Sequence, residues 1–311
     1  MPEPIVYRVT KYDPADRNER GYYVGTLDSA CDEGPIEAAY LEALAAFARA
    51  AGVERLTVRE PELGGSVHFG LGPRLPGGGL ADLFAEPTDF HDGAEVSLAT
   101  GIELVRVMLR ESGGWCRLEV ADRFFVHVGY DQYLYVGTAG PIRPGVERAR
   151  ELGLYPERID ESPYAPEPDG SARELPADAS YWARLRDAVA DGRVRLLEER
   201  SAMTRWHWLR SPGAVDAVRA RLVPRARLTA WPDLFTVGPA AVLSGLDPEE
   251  HHRLLCELPD GRLATDWFDL QDPADLAVLA AAHSVALVPE ESTALPDAVL
   301  PDADGVVRVR G

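Results

Sequence analysis

The sequence predicts an α+β protein of two domains, each a short, mostly antiparallel sheet packed with helices. Three observations carry that prediction. Both halves mix stretches of 3.6-residue apolar period with short β-branched and aromatic runs. The clearest stretch, Ser97–Gly137, reads as one helix followed by a three-stranded meander. Near mid-chain the pattern breaks at Pro163, Pro166, Pro168, Gly170 and Pro176. The expected domains are therefore residues 1–165 and 179–311, joined by a proline-rich linker at 166–178.

In the first half, Ile5–Val9 reads as a strand and Lys11–Thr26 as an ordered loop or ragged hairpin. Pro35 opens a helix through Ala51, because a missing N–H is harmless in a first turn. Its apolar stripe is Ile36, Ala39, Tyr40, Ala43, Leu44 and Phe47, and Gly52 ends it. Arg55–Arg59 is a strand with Leu56 and Val58 inward. Glu60–Gly93 is rich in Gly and Pro and reads either as carrying a strand near Val67–Leu71 or as one long loop. Ser97 caps a helix with Leu98, Ile102, Val105, Met108 and Leu109 on its apolar side, and Gly113-Gly114 stops it. A helix at Pro144–Leu152, stopped by Gly153, follows the meander.

In the second half, helices are expected at Ala179–Asp191, Pro212–Leu222 and Asp272–Ala282, the last with Asp272 as N-cap and Pro273 in the first turn. Arg193–Arg200 and Thr204–Leu209 suggest a hairpin, and Arg225–Ala230 and Ser284–Val288 suggest strands. Pro259-Asp260-Gly261 turns a second hairpin between His252–Leu258 and Arg262–Trp267. Glu290–Gly305 is loop-like, before a last strand at Val306–Arg310.

The meander fixes which residues share a face. Turns at Ala121-Asp122-Arg123 and Tyr130-Asp131-Gln132 set Val120 against Phe124 and Gly129 against Tyr133. One face then carries Cys116, Leu118, Val120, Phe124, Val126, Val128, Leu134 and Val136, all apolar, which should pack on the preceding helix. A one-residue slip would mix the two sets, so the alternation itself selects this register. The reverse face carries Glu119 and a candidate binding set: Arg117, Phe125, His127, Tyr133 and Tyr135. Rings beside a guanidinium resemble a stacking platform for unpaired bases, at ~1–3 kcal/mol per base. The competing reading is that Asp89–Glu95 or the second domain covers this face.

Composition bounds the partners. At 46% apolar and 27% charged, the chain of 311 residues has the make-up of an ordinary globular protein. No apolar run approaches the ~20 residues of a membrane span, and Met1-Pro2-Glu3-Pro4 lacks the basic and apolar regions of a signal peptide. A cytoplasmic location without a membrane partner is expected. The net charge of −19 repels duplex DNA and suits either a basic partner or plain solubility.

No catalytic or metal-binding motif emerges, and no cofactor is implied. Cys31, Cys116 and Cys256 fit neither a disulfide framework nor a zinc pattern and read as small core residues. Cys116 and His127 would oppose one another only across a two-residue turn, and the three-residue turn separates them. His251 and His252 are adjacent on a strand and point apart, poor geometry for one metal. His91-Asp92 has no spaced partner other than a spatial approach by His68. Gly70-Leu71-Gly72 and Gly77-Gly78-Gly79 lack the Lys-Ser or Lys-Thr of a phosphate loop. Asp13, Asp16, Asp28, Asp32 and Glu33 read as a solvated acidic face. Within Arg200–Arg210, Trp206 and Trp208 share a face with His207 opposite, a pattern of core packing.

Tyr7–Arg17, Gly21-Tyr22-Tyr23, Glu37-Ala38-Ala39-Tyr40, Asp92–Val96 and Trp115–Glu119 resemble a bacterial family common in actinobacteria. Its members carry the automated label "RNA-binding protein", and some shorter relatives look like immunity proteins of contact-delivered toxins. The resemblance covers about the first half, brings no catalytic residues with it, and implies RNA or a toxin as partner. The expectation is thus a non-catalytic acidic binding protein of the immunity or regulatory kind, engaging a basic protein. One alternative is an RNA-associated protein that uses the aromatic face on single-stranded RNA. Another is an enzyme with its site between the domains, built from the Glu60–Gly93 loop with His68 or His91.

Overall fold

A computed structural model describes residues 4–27, 34–63, 80–111, 113–129, 132–165, 175–292 and 294–308. They fall into two compact units, each built of helices and largely antiparallel sheets, so the class is α+β. The strand expected near Val67–Leu71, the two glycine runs, Cys31, His68 and three of the N-terminal acids lie outside the described residues.

The first unit holds β1 (Ile5–Thr10), α1 (Pro35–Ala50), β2 (Arg55–Leu63), α2 (Leu80–Leu83), β3 (Glu95–Ser97), α3 (Leu98–Leu109), β4 (Gly114–Val120), β5 (Phe124–Val128), β6 (Leu134–Thr138), α4 (Arg143–Glu151) and β7 (Tyr155–Ile159). Its strands form one antiparallel sheet in the order β3-β2-β4-β5-β6-β1-β7. Seven strands exceed the short sheet expected, because β3 and β7 extend both edges. Pro156 concealed β7: it is tolerated there because an edge strand leaves one side of its backbone unpaired.

Local chemistry places these elements as the sequence implies. The Thr100 amide donates to Ser97 Oγ at 3.1 Å, closing the N-cap of α3. The chain leaves α3 through left-handed residues Glu111 and Gly113. Three helices lie over the apolar face of the sheet. α3 rests on Leu56 and Leu118 where Gly101 lets it approach: a Cβ there would stand 2.5 Å from Leu56 Cδ1. α1 brings the Phe47 ring to 6.1 Å from Tyr7. Arg106 of α3 and Arg110 at its C-cap grip Glu37 of α1, at 2.5 Å and 2.6 Å. The guanidinium hydrogen bond from Arg110, joined by that from Arg106, outweighs burial and holds the Glu37 pKa below the usual carboxylate value.

The second unit holds β8 (Leu175–Pro176), α5 (Ala179–Ala190), β9 (Leu196–Arg200), β10 (Thr204–Trp208), α6 (Pro212–Arg219), β11 (Arg227–Trp231), α7 (Pro239–Leu243), β12 (His251–Glu257), β13 (Leu263–Asp269), α8 (Pro273–Ala281), β14 (Ser284–Leu287) and β15 (Ala298–Val299). A five-stranded sheet, β10-β9-β11-β15-β8, is covered on one face by α5 and α6. Its other face packs Leu196, Trp206 and Trp231 against Leu255 of a three-stranded sheet, β13-β12-β14, and Val288 just after β14. The far side of that smaller sheet buries Leu254, Cys256 and Phe268 beneath α7 and α8.

Two expectations are corrected here. The end of the supposed linker belongs to the second unit: Leu175-Pro176 pair with Ala298-Val299, and Asp178 Oδ1 caps α5 by accepting from the Ser180 and Tyr181 amides. Among the described residues the last strand is Ala298–Val299, which breaks the expected loop; residues 306–308 of the expected Val306–Arg310 strand form none, and Asp302–Val306 is a turn.

Candidate functional site

The predicted register of the meander is the observed one. Val120 pairs with Phe124, Val126 with Val136, and the Gly129 amide donates to the Tyr133 carbonyl at 2.8 Å. Arg117, Phe125, His127, Tyr133 and Tyr135 therefore share the face turned away from the helices. The structure brings them together and then closes the face over them.

Arg117 is 1% exposed, His127 2% and Tyr135 7%. Phe125 and Tyr133 keep partial exposure, but their neighbours occupy the ring surfaces. Phe125 stacks on His127 with centroids 4.4 Å apart and planes 14° apart. Tyr12 meets Tyr133 edge-on at 5.7 Å, Tyr135 at 6.3 Å, and Arg8 lies over the Tyr133 ring. The cover is a segment of the same unit, just after β7. Ser162 Oγ shares a 2.8 Å hydrogen bond with His127 Nδ1, and the Tyr164 ring packs beside Tyr135 and Trp115. Asp92, from the anticipated Asp89–Glu95 segment, closes the other end by pairing with Arg59 at 3.2 Å.

Two glycines explain why the rings lie flat on the sheet. A Cβ on Gly137 would sit 2.0 Å from Phe125 Cε1, and one on Gly129 would sit 2.8 Å from Tyr164 and 2.9 Å from Tyr135. Both glycines belong to the reverse face by alternation. They leave troughs into which cross-strand and covering rings settle. That spacing was the available signal that the face is interior.

The charged members are equally engaged. β2 bulges between Arg59 and Glu62, with Glu60 in the left-handed region. The bulge brings Glu60 to Arg117, 3.1 Å from Nη2. Burial first, and the Arg117 charge second, depress the His127 pKa to about 3. The imidazole is neutral at physiological pH and far too weak a base to activate Ser162. Cys116 points to the helix face, and burial pushes its thiol well above the ordinary value. Among the described residues no thiol partners the histidine.

Elsewhere, His91 Nδ1 hydrogen-bonds within its own loop to the Asp92 carbonyl, and His252 Nε2 to that of Asp247. No group of three metal-ligating side chains converges among the described residues. No helix among them is long and apolar enough to cross a membrane.

Sequence reasoning overlooked two adjacent acids on β9, Glu198 and Glu199, both fully buried on opposite faces. Glu199 accepts from Arg205 at 2.5 Å, His207 at 2.7 Å and the Val223 amide at 2.8 Å. Burial alone would raise its pKa; the bonds from His207, Val223 and Arg205 outweigh it and hold the carboxylate below its ordinary value. Glu198 accepts from Trp231 Nε1 at 2.9 Å and pairs with Arg253 of the smaller sheet. The basic-aromatic run at Arg200–Arg210 is thus absorbed: Trp206 enters the core, Arg205 pairs with Glu199 and His207 hydrogen-bonds it. The signal was an unbroken Glu-Glu inside an apolar strand beside that run.

No family model, curated protein or solved structure matches the chain.

Proposed function

We propose that the protein acts by binding, as an immunity- or regulatory-type protein whose acidic exterior engages a basic protein. The supporting observation is how its charges are distributed. Residues 1–170 hold 29 Asp+Glu against 16 Lys+Arg, so this part carries most of the net −19. Its arginines are largely consumed internally: Arg106 and Arg110 by Glu37, Arg8 and Arg17 by Glu157, Arg59 by Asp92 and Glu119, Arg148 by Glu42 and Glu151. Glu54, Glu62, Glu86, Glu111, Asp160 and Glu161 remain exposed, with no cationic side chain against them among the described residues. Such a field steers oppositely charged proteins and repels nucleic acid. The likeness of the first half to toxin-immunity proteins is compatible with this reading.

Affinity capture from native lysate at about 50 mM and about 500 mM salt tests it, since surface charge is screened over a Debye length of ~10 Å near 0.1 M. The expected result is a basic protein retained at low salt and released at high salt. Capture of no basic protein at low salt, or of RNA in its place, contradicts the proposal.

A further inference from the structure

The closed sheet face does not exhaust the first unit. A groove of about 440 Å³ runs between α4 and the edge strand β7, on the helix side of the sheet. Its lining is mixed: half-buried Tyr7 and Pro156 give it an apolar side, with Ile142 and Val146 buried at its base. The register explains the lining, because Tyr7 stands opposite Arg158 and Val9 opposite Pro156, which places Arg158 directly beside the Tyr7 ring.

The rim is cationic. Arg143, Glu147 and Arg150 line up along α4 at intervals of four and three residues, and Arg158 faces them from β7. Arg143 is held by Glu147 at 2.6 Å. Arg150 and Arg158 are exposed and have no carboxylate partner among the described residues. Three guanidiniums and one carboxylate leave this groove locally positive within the most acidic part of the chain. Solvation alone does not require two uncompensated arginines to flank one trough. The volume lies in the ~300–1,000 Å³ range of small-molecule sites.

We propose that this groove binds a small organic anion: a flat apolar body lying on Tyr7, Ile142, Val146 and Pro156, with a terminal carboxylate or phosphate held by Arg150 and Arg158. A guanidinium presents a planar fork of donors that matches either group in a bidentate manner. The neutral body supplies contact area and the anion supplies orientation. This site is independent of the acidic exterior and of the protein partner proposed above.

Fluorescence titration of the full chain with 2-naphthoate, 2-naphthyl phosphate and the uncharged 2-naphthol tests it. Saturable binding of at least one of the two anions is expected, and at least tenfold weaker binding of the naphthol. Which anion binds more tightly separates a carboxylate site from a phosphate site. The double variant Arg150→Gln/Arg158→Gln should weaken anion binding tenfold or more, whereas Arg49→Gln, an exposed arginine on α1 outside the groove, should leave it unchanged. Both groove positions are exposed, so the double variant should keep the parent's melting temperature. Absence of saturable binding by either anion, equal affinity for the naphthol, or an unchanged affinity in the double variant overturns the proposal.

Discussion

His127 shows what burial does to a residue that looked functional. Its ring is sandwiched between Phe125 and the covering segment, bonded to Ser162, and deprived of a proton by desolvation and by Arg117. The sign of the pH effect follows. In the folded chain the ring stays neutral down to about pH 3, whereas the unfolded chain protonates it near 6.5. Between those values the unfolded state holds more protons, so stability is complete above about pH 6.5 and is lost as pH falls toward 3. The loss approaches about 1.4 kcal/mol per pH unit at most. Urea denaturation at pH 7.5 and pH 5.5 should show the parent losing about 1 kcal/mol more than His127→Phe. Equal losses in both would mean that the ring is solvated. The same residue measures what the sequence disclosed. Alternation placed His127 with Arg117, Phe125, Tyr133 and Tyr135, since strand periodicity is a local property. Whether Ser162 and Tyr164 return to cover them depends on contacts between residues 29 and 35 apart in sequence, Tyr135–Tyr164 and His127–Ser162, which no local period encodes.

The elements themselves were legible where one period dominated. α1, α3 and α5 lie within a residue or two of their expected bounds because each combines an apolar stripe with a capping or stop residue. β3, β7 and β15 were not legible: they are two to five residues long, and β7 contains a proline. Pairing with a neighbour, not propensity, makes them strands. β9 is the instructive case. Apolar at Leu196 and Leu197 and doubly acidic at Glu198 and Glu199, it holds a central place only because Arg205, His207, Trp231 and Arg253 come from other segments to satisfy it. Removing one partner from such a pair leaves the other buried and uncompensated. Glu198→Gln should therefore cost about 3 kcal/mol of unfolding free energy, while Glu198→Leu/Arg253→Met should cost markedly less than the two single changes combined. Additive single costs in a denaturation cycle would show that Glu198 and Arg253 do not act as a pair.

At the scale of the molecule, internal ion pairing and external charge are two sides of one distribution. Arginines are drawn inward onto carboxylates such as Glu37 and Glu199, and the surplus acids face solvent. With the aromatic face withdrawn into the first unit, the acidic exterior and the Arg150–Arg158 groove are the surfaces that remain open. The withdrawal of that face removes the aromatic rings as a platform for unpaired bases. Diethyl pyrocarbonate modification of the native chain, mapped residue by residue by mass spectrometry, tests it directly, with exposed His251 as the internal standard. The expected result is rapid modification of His251 and protection of His127 until the chain is unfolded in denaturant. Modification of His127 at the rate of His251 in the native chain would contradict the closed face and return Phe125, Tyr133 and Tyr135 to the protein surface.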